Sequence, residues 1–132
     1  MTDVHVCTTC RPAGADRNLP AAGLLLLEAV QRAALPHGPA VRVHGTACMS
    51  GCSRACTVAL MAPGKTTYFF GDLPADDRAA EEVLACARLH AASADGLMAR
   101  NDRPPLLRNG ILARLPAAPV LASAAGQLPE TA

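Results

Sequence analysis

Two short stretches near the amino terminus alternate polar and apolar residues with the period of a β-strand. They are D-V-H-V at residues 3–6 and A-V-R-V-H at residues 40–44, and such alternation predicts half-buried strands. Between them, residues 19–35 carry a broad apolar stripe at helical spacing. Pro20 is acceptable in a first helical turn and Pro36 ends the pattern, so the sequence predicts a helix here.

A predicted hairpin and a second helix follow. The segments C-T-V-A-L-M at residues 56–61 and T-T-Y-F-F at residues 66–70 predict two strands, joined by the turn P-G-K. A second helix is predicted to open at residues 72–74 and to run to about Ala92. The resulting order is β-α-β-β-β-α, which is an α+β fold in which a helix links the first two strands.

The remainder of the chain is predicted to be an extension, with residues 1–96 as the domain and residues 97–132 outside it. A short apolar stretch at residues 111–115 should anchor the extension on the core, and disorder is expected beyond Pro119. The extension would either offer a docking patch to an acidic redox partner or be solvated and loosely packed, and the second reading is favoured. The patch would consist of Arg100, Arg103, Arg108 and Arg114.

Composition narrows the function. The chain has 132 residues, a formal net charge of +1 and six cysteines. The sequence has no basic run with interleaved aromatics, which is the pattern typical of a nucleic-acid binder. The first residues lack the features of a signal peptide, and the apolar stretch at residues 21–27 is too short to span a bilayer. We therefore expect a cytoplasmic protein without a membrane segment, in which cysteines bind metal or do redox work more often than they form disulfides.

Four cysteines form two pairs, and each pair follows a predicted strand. Cys7 and Cys10 are separated by two residues, and Cys48 and Cys52 by three. Loops that follow adjacent parallel strands emerge side by side, and a [2Fe-2S] cluster needs four soft thiolate ligands. The sequence therefore predicts a cluster site formed by Cys7, Cys10, Cys48 and Cys52.

The other cysteines and two arginines near the pairs have separate predicted roles. Cys86 lies in the second predicted helix among apolar residues, which favours core packing. Cys56 begins the third predicted strand, a position more typical of a buried small apolar residue than of a ligand. Arg11 and Arg54 lie one or two residues beyond a predicted ligand, where they either offset the negative charge of a cluster or are simply solvated.

The order strand, cysteine loop, helix, strand, C-x3-C, hairpin and helix resembles that of thioredoxin-like [2Fe-2S] ferredoxins. More closely, the chain resembles a bacterial family of uncharacterised predicted metal-binding proteins over residues 4–116, through V-C-T-T-C-R, C-M-S-G-C-S-R-A-C-T-V-A-L, P-G-K-T-T-Y-F-F-G-D-L and R-N-G-I-L-A-R-L-P. The resemblance implies a thioredoxin-like ferredoxin fold and an electron carrier, not an enzyme, that serves a redox partner protein. Some family members are associated with cobalamin and cobalt metabolism. Whether two chains pair as a homodimer stays open.

The spacing of the first pair differs from that of the ferredoxins. Thioredoxin-like ferredoxins space their first two ligands more widely than the two residues between Cys7 and Cys10. Cys56 is the alternative fourth ligand, since it extends the second pair to C-x3-C-x3-C over residues 48–56.

Three other functions compete with the cluster. Four cysteines can also hold structural zinc, although zinc pairs are commonly C-x2-C twice. A cobalt or other metal carrier would use histidines, and His5 and His44 lie on the strands that lead to the cysteine loops, although a solvent-facing or core histidine is the commoner case. A thiol oxidoreductase would use Cys7 and Cys10, but about eight residues separate Cys10 from the predicted helix whose positive end would activate a thiol. Thioredoxins also place a cis-proline before the third strand, where this chain has Ala55 and Cys56.

Overall fold

Residues 1–118, which the computed structural model describes, form five strands and two α-helices. Short 3-10 turns occupy parts of the connections. The elements in chain order are β1 (Thr2–Cys7), α1 (Ala22–Ala34), β2 (Val41–Thr46), β3 (Val58–Met61), β4 (Thr67–Phe70), α2 (Asp77–Ala92) and β5 (Ile111–Leu115).

The helix between the first two strands brings those strands side by side. β1 and β2 pair in parallel, from Thr2 opposite Val41 to Cys7 opposite Thr46. The other neighbours are antiparallel, and the strand order is β2-β1-β3-β4-β5. The predicted crossover and hairpin are therefore present, and the carboxyl ends of β1 and β2 meet at one end of the sheet.

The core lies on one face of the sheet and is built from alternate residues of its strands. Val4 lies opposite Leu60, Leu60 lies opposite Tyr68, and each is at most 1% exposed. Helices α1 and α2 pack against each other and against β1. Burial of a side chain such as Val4 or Leu60 stabilises the folded state by about 1.5–3 kcal/mol. Packing on this face therefore fixes the position of β1, which leads into the first cysteine loop.

Both helices begin later than the sequence predicts. α1 begins at Ala22 rather than at residue 19. α2 begins at Asp77 because the Asp76 carboxylate accepts a hydrogen bond from the Ala79 N–H at 2.8 Å, and such a cap satisfies a free donor of the first turn. Within residues 1–118, no helix is long and apolar enough to cross a membrane.

The chain after α2 packs on the core. Ile111–Leu115 forms β5, which pairs with β4 and adds a strand that the sequence did not predict. Arg103 is 6% exposed and donates hydrogen bonds to the carbonyl oxygens of Leu107 at 2.8 Å and Met98 at 3.0 Å. This region is therefore ordered rather than loosely packed, and Arg103 is buried where a docking patch was considered. The disorder expected beyond Pro119 concerns residues outside the described range.

Candidate metal centre

The two cysteine pairs lie at the same end of the sheet. Cys7 is the last residue of β1 and lies opposite Thr46 at the end of β2. The Thr8 N–H donates a hydrogen bond to the Thr46 carbonyl oxygen at 3.0 Å, which continues the pairing of the two segments past the end of β1. Cys48 follows Thr46 after one intervening residue. The predicted juxtaposition of the two cysteine loops is therefore present.

The first pair is buried. Cys7 is 0% exposed and Cys10 is 1% exposed. A threonine hydroxyl lies beside each sulfur: Thr9 Oγ1 is 3.5 Å from Cys7 Sγ, and Thr57 Oγ1 is 3.5 Å from Cys10 Sγ. Thr57 was not among the residues predicted from the sequence, although a hydroxyl in an otherwise apolar strand segment is a signal for a buried polar contact.

Hydrogen bonds make Cys7 the more acidic thiol of the first pair. Burial opposes its ionisation, but donors outweigh burial and lower its pKa to about 6. The donors are the Thr9 hydroxyl, the backbone N–H groups of Met49 and Thr9, and the thiol of Cys10. Because Met49 belongs to the second cysteine loop, an amide of one loop stabilises a thiolate of the other.

Cys10 behaves in the opposite way. Burial raises its pKa, and the hydrogen bond and negative charge of Cys7 raise it further, while the Thr57 hydroxyl and N–H act against the rise. In the first pair, the Cys7 sulfur therefore favours the thiolate form, and the Cys10 sulfur that contacts it favours the thiol. Such a pair offers one ready ligand and one that would have to lose its proton to bind a metal.

The second pair is exposed. Cys48 and Ser50 have left-handed backbone conformations, with φ of 61° and 64°. The Ser50 backbone N–H, followed by the thiol of Cys52, lowers the pKa of Cys48, and Cys48 in turn raises the pKa of Cys52. The negative charge of Cys7 acts to raise both of these pKa values. The two pairs are therefore within electrostatic range of one another.

Helix α1 packs directly on the first cysteine loop. The Gly23 N–H donates a hydrogen bond to the Cys10 carbonyl oxygen at 3.0 Å. A Cβ at Gly23 would overlap the carbonyl oxygen of Cys7 and would lie 3.1 Å from the Cys10 nitrogen. Cys10 is therefore in direct contact with α1, although many residues separate them in the sequence. A glycine in a helix is unfavourable unless close packing requires it, and this was the available signal that the sequence analysis missed.

The remaining two cysteines are buried. Cys56 is 0% exposed, and burial, followed by the charges of Cys10 and Cys7, raises its pKa to about 11. The peptide bond that precedes Cys56 is cis. Cys86 is 0% exposed with its sulfur 3.6 Å from Met98 Sδ, and burial raises its pKa to about 12. The predicted core position of Cys86 is confirmed, and Cys56 is a buried neighbour of the first pair.

The two arginines near the cysteine loops differ in how their charges are compensated. Arg54 forms an ion pair with Asp72, with Nε 2.9 Å from Oδ1. Arg11 instead donates hydrogen bonds from Nη1 to the carbonyl oxygens of Asp16 at 3.2 Å and Leu19 at 2.7 Å. Carbonyl oxygens orient a guanidinium without neutralising it, so Arg11 keeps a positive charge close to the first pair.

His5 and His44 contact each other and the strand next to their own. Their rings stack with centroids 4.9 Å apart. His44 Nε2 lies 2.8 Å from Asp3 Oδ1, and His5 Nδ1 lies 3.3 Å from Thr46 Oγ1. These contacts tie β1 to β2 and occupy one ring nitrogen of each histidine.

The four predicted ligands are neighbours, but they do not form a closed cage. Within residues 1–118, no three His, Cys, Asp or Glu side chains are grouped so that they could hold a metal ion as they stand. The buried pair and the exposed pair supply soft sulfur donors with backbone N–H groups beside them, which is the donor chemistry that iron-sulfur centres use. The ligand roles of Cys7, Cys10, Cys48 and Cys52 stay a prediction.

Comparison with known proteins defines first the class of fold and then the family. A thioredoxin-like [2Fe-2S] ferredoxin from Aquifex aeolicus matches with a TM-score of 0.51 at 16% sequence identity, over 86% of this chain and 91% of that chain. The chain thus has a thioredoxin-like ferredoxin fold, as its sequence predicts. It belongs to DUF1636, a family described as a protein of unknown function, whose model matches residues 4–117. No curated protein matches the chain.

Proposed function

We propose that the protein binds one [2Fe-2S] cluster through Cys7, Cys10, Cys48 and Cys52 and carries single electrons to a redox partner protein. The observation that carries this proposal is the placement of two cysteine pairs at the ends of adjacent parallel strands. The fold likeness to a thioredoxin-like [2Fe-2S] ferredoxin supports it. When bound, the cluster supplies the one-electron chemistry.

The protein's own groups suit a thiolate centre in two ways. The Met49 and Ser50 N–H groups lie at Cys7 and Cys48 and stabilise the anionic sulfurs, and such hydrogen bonds tune the potential of a cluster. The first pair is buried and the second is exposed. A centre held between the two pairs would be shielded on one side and open to a partner on the other.

Cys10 is a better fourth ligand than Cys56. Both are buried, but Cys10 lies in hydrogen-bonding contact with Cys7, and the Thr57 hydroxyl and N–H lie beside its sulfur. Burial and the neighbouring negative charges raise the pKa of Cys56 to about 11. Metal ligation requires a deprotonated thiol, and Cys10 has the hydroxyl and N–H of Thr57 beside its sulfur to stabilise a thiolate.

Serine replacements in anaerobically purified protein test the ligand set. Cys48→Ser, Cys52→Ser, Cys7→Ser and Cys10→Ser should each reduce visible absorption and bound iron, while Cys86→Ser, a buried control away from the pairs, should keep both. The wild type should hold about two iron and two sulfide per chain. If Cys56→Ser loses the cluster while Cys10→Ser keeps it, the proposed fourth ligand is wrong.

Metal analysis of the same preparation distinguishes an iron-sulfur cluster from a bound zinc or cobalt ion. Zinc, cobalt, iron and sulfide should be measured together, because a structural zinc site and a cobalt carrier would use the same thiolates. The link to cobalt metabolism rests on the family resemblance alone. We also propose a cytoplasmic location, since a reducing compartment favours metal-binding thiols over disulfides. Stoichiometric zinc that survives iron-sulfur reconstitution would contradict the cluster.

A thiol oxidoreductase is the second candidate, and the lowered pKa of Cys7 favours it. A Cys7 thiolate would attack a substrate disulfide, and the Cys10 thiol would then complete a Cys7–Cys10 disulfide and release two substrate thiols. However, Cys7 is 0% exposed, which keeps a bulky disulfide from its sulfur. Insulin reduction by the metal-free protein decides: turnover that Cys7→Ser abolishes and Cys48→Ser preserves would favour the oxidoreductase.

A further inference from the structure

A pocket of about 540 Å³ opens beside the candidate metal centre. One side is formed by Thr9 of the first cysteine loop and by Cys52 of the second, and another by Leu24 of α1. Arg11 and Arg17 also line it. We call it the arginine pocket. It brings two arginines and the exposed Cys52 together at the surface.

The arginine pocket carries excess positive charge. Arg17 is exposed and forms no ion pair with any residue in the range 1–118. Within the same range, the Arg11 side chain donates hydrogen bonds only to carbonyl oxygens, from its Nη1 atom. The nearby carboxylate of Asp16 accepts a hydrogen bond from the Asn18 N–H at 2.9 Å and supplies a single negative charge. Among the side chains, two cations face one carboxylate, so the arginine wall of the pocket attracts carboxylates locally, while a thiolate-ligated cluster beside it would carry negative charge of its own.

Exposed apolar residues lie beside the charged groups. Leu24 lines the pocket and is 38% exposed, and Leu19, whose carbonyl oxygen accepts a hydrogen bond from Arg11, is 60% exposed. Arginines beside exposed apolar side chains are typical of surfaces that bind another protein, where arginine is enriched. A small anion alone would make no use of the leucines.

Resting on the function proposed above, we propose that the arginine pocket is the docking site for an acidic surface of the redox partner. Carboxylates of the partner pair with Arg11 and Arg17, and an apolar side chain of the partner packs on Leu24. Arg–carboxylate pairs are directional and bidentate, so they would orient the partner over Cys52, the exposed ligand that lines the pocket.

Electron transfer to acceptors of opposite charge tests this docking site. Reduced, cluster-loaded protein is mixed with plastocyanin, an acidic copper protein, or with cytochrome c, a basic haem protein. In each reaction one electron leaves the cluster and reduces copper(II) or haem iron(III). Arg17→Glu should slow the plastocyanin reaction roughly three- to tenfold at low salt and speed the cytochrome c reaction. The effect should shrink as salt is added.

Arg114→Glu is the matched control. It makes the same change in net charge at an exposed position on β5, which is the sheet edge opposite β2. Arg17 is preferred to Arg11 as the test position because Arg11 also holds its loop. Both variants should keep the wild-type absorption spectrum. Equal effects of Arg17→Glu and Arg114→Glu on the two rates would overturn the docking site.

A second measurement keeps this inference separate from the cluster itself. In metal-free protein, Cys52 is alkylated with anionic iodoacetate or neutral iodoacetamide and followed by fragment mass spectrometry. Arg17→Glu should lower the ratio of the iodoacetate to the iodoacetamide rate roughly threefold, and Arg114→Glu should leave it unchanged. An unchanged ratio in Arg17→Glu would overturn the pocket even if a cluster binds. A changed ratio together with equal plastocyanin rates would mean that the pocket takes small anions rather than a protein.

Discussion

Cys7 and Cys48 follow neighbouring strands, yet their sulfurs have different surroundings. Cys7 is enclosed by its own loop, by the Met49 N–H and by α1, whereas Cys48 is exposed and receives its main hydrogen bond from Ser50. The sequence could locate both cysteines because spacing after a strand is a local pattern. It could not reveal that Cys7 is buried while Cys48 is exposed, because Gly23 and the other groups that enclose Cys7 come from distant positions in the sequence.

Gly23→Ala should destabilise the fold. Alanine normally stabilises a helix relative to glycine by about 0.5–1 kcal/mol, but here its Cβ would overlap the Cys7 carbonyl oxygen. Overpacking against backbone should therefore cost about 1–3 kcal/mol in the free energy of unfolding, measured in urea. Leu25→Ala, at an exposed site on the same helix, is the control and should cost less. A stabilising Gly23→Ala would contradict the close packing of α1 on the loop.

His90 should make stability depend on pH. It is 0% exposed, its Nε2 donates to the Thr66 carbonyl oxygen at 2.7 Å, and its Nδ1 lies 2.7 Å from Thr2 Oγ1. Burial lowers its pKa from the ordinary value of 6.5, against the Thr66 carbonyl, which raises it. The folded state therefore favours neutral His90. This stabilisation is complete above pH 6.5 and is lost as the pH falls from 6.5 through the lowered pKa.

The free energy of unfolding of metal-free protein at pH 7.5 and pH 5.5 measures this effect. His90→Gln should be less stable at pH 7.5 and should lose less stability between the two values than the wild type does. Cys7 and His5, whose pKa values are also lowered, titrate in overlapping ranges, so the difference between wild type and variant isolates His90. The same pH dependence in His90→Gln would show that another group is responsible.

At the scale of elements, strong local patterns predicted the first four strands and both helices. The alternation in β1 and the apolar stripe of α1 belong to single segments, so a single segment reveals them. β5 was missed because Ile111–Leu115 is a short edge strand that follows prolines and gains its register only by pairing with β4. The start of α2 was placed too early because the capping residue Asp76 fixes its first turn, whereas α1 begins at Ala22 without a side-chain cap.

Arg103 should be essential to the connection between α2 and β5. Its guanidinium is buried, donates to the carbonyl oxygens of Leu107 and Met98, and lies 5.8 Å from the centre of the Tyr68 ring. Arg103→Leu removes the donor to the Leu107 carbonyl oxygen and leaves the Met98 carbonyl oxygen with only the Tyr68 hydroxyl at 3.5 Å, which should lower the free energy of unfolding by about 2–4 kcal/mol in urea. Arg100→Leu, at an exposed position, should change it by about 0.5 kcal/mol or less. Equal losses in the two variants would contradict the structural role of Arg103.

At the scale of the whole molecule, the architecture gathers the chemistry at one end of the sheet. A crossover helix makes β1 and β2 parallel, so both cysteine loops leave from the same end, and the buried face beneath them is covered by α1 and α2. The sequence predicted this juxtaposition because crossover connections follow general rules. It could not predict the arginine pocket, because that pocket forms only where the loop at residues 11–20, α1 and the second cysteine loop meet.

Electron paramagnetic resonance of the reduced, anaerobically purified protein detects the proposed cluster itself. A [2Fe-2S] cluster holds one unpaired electron when it gains a single electron, so we expect a signal of about one spin per chain with about two iron and two sulfide. The signal should disappear in Cys48→Ser and persist in Cys86→Ser. A protein that is silent after reconstitution and retains one zinc per chain would contradict the account.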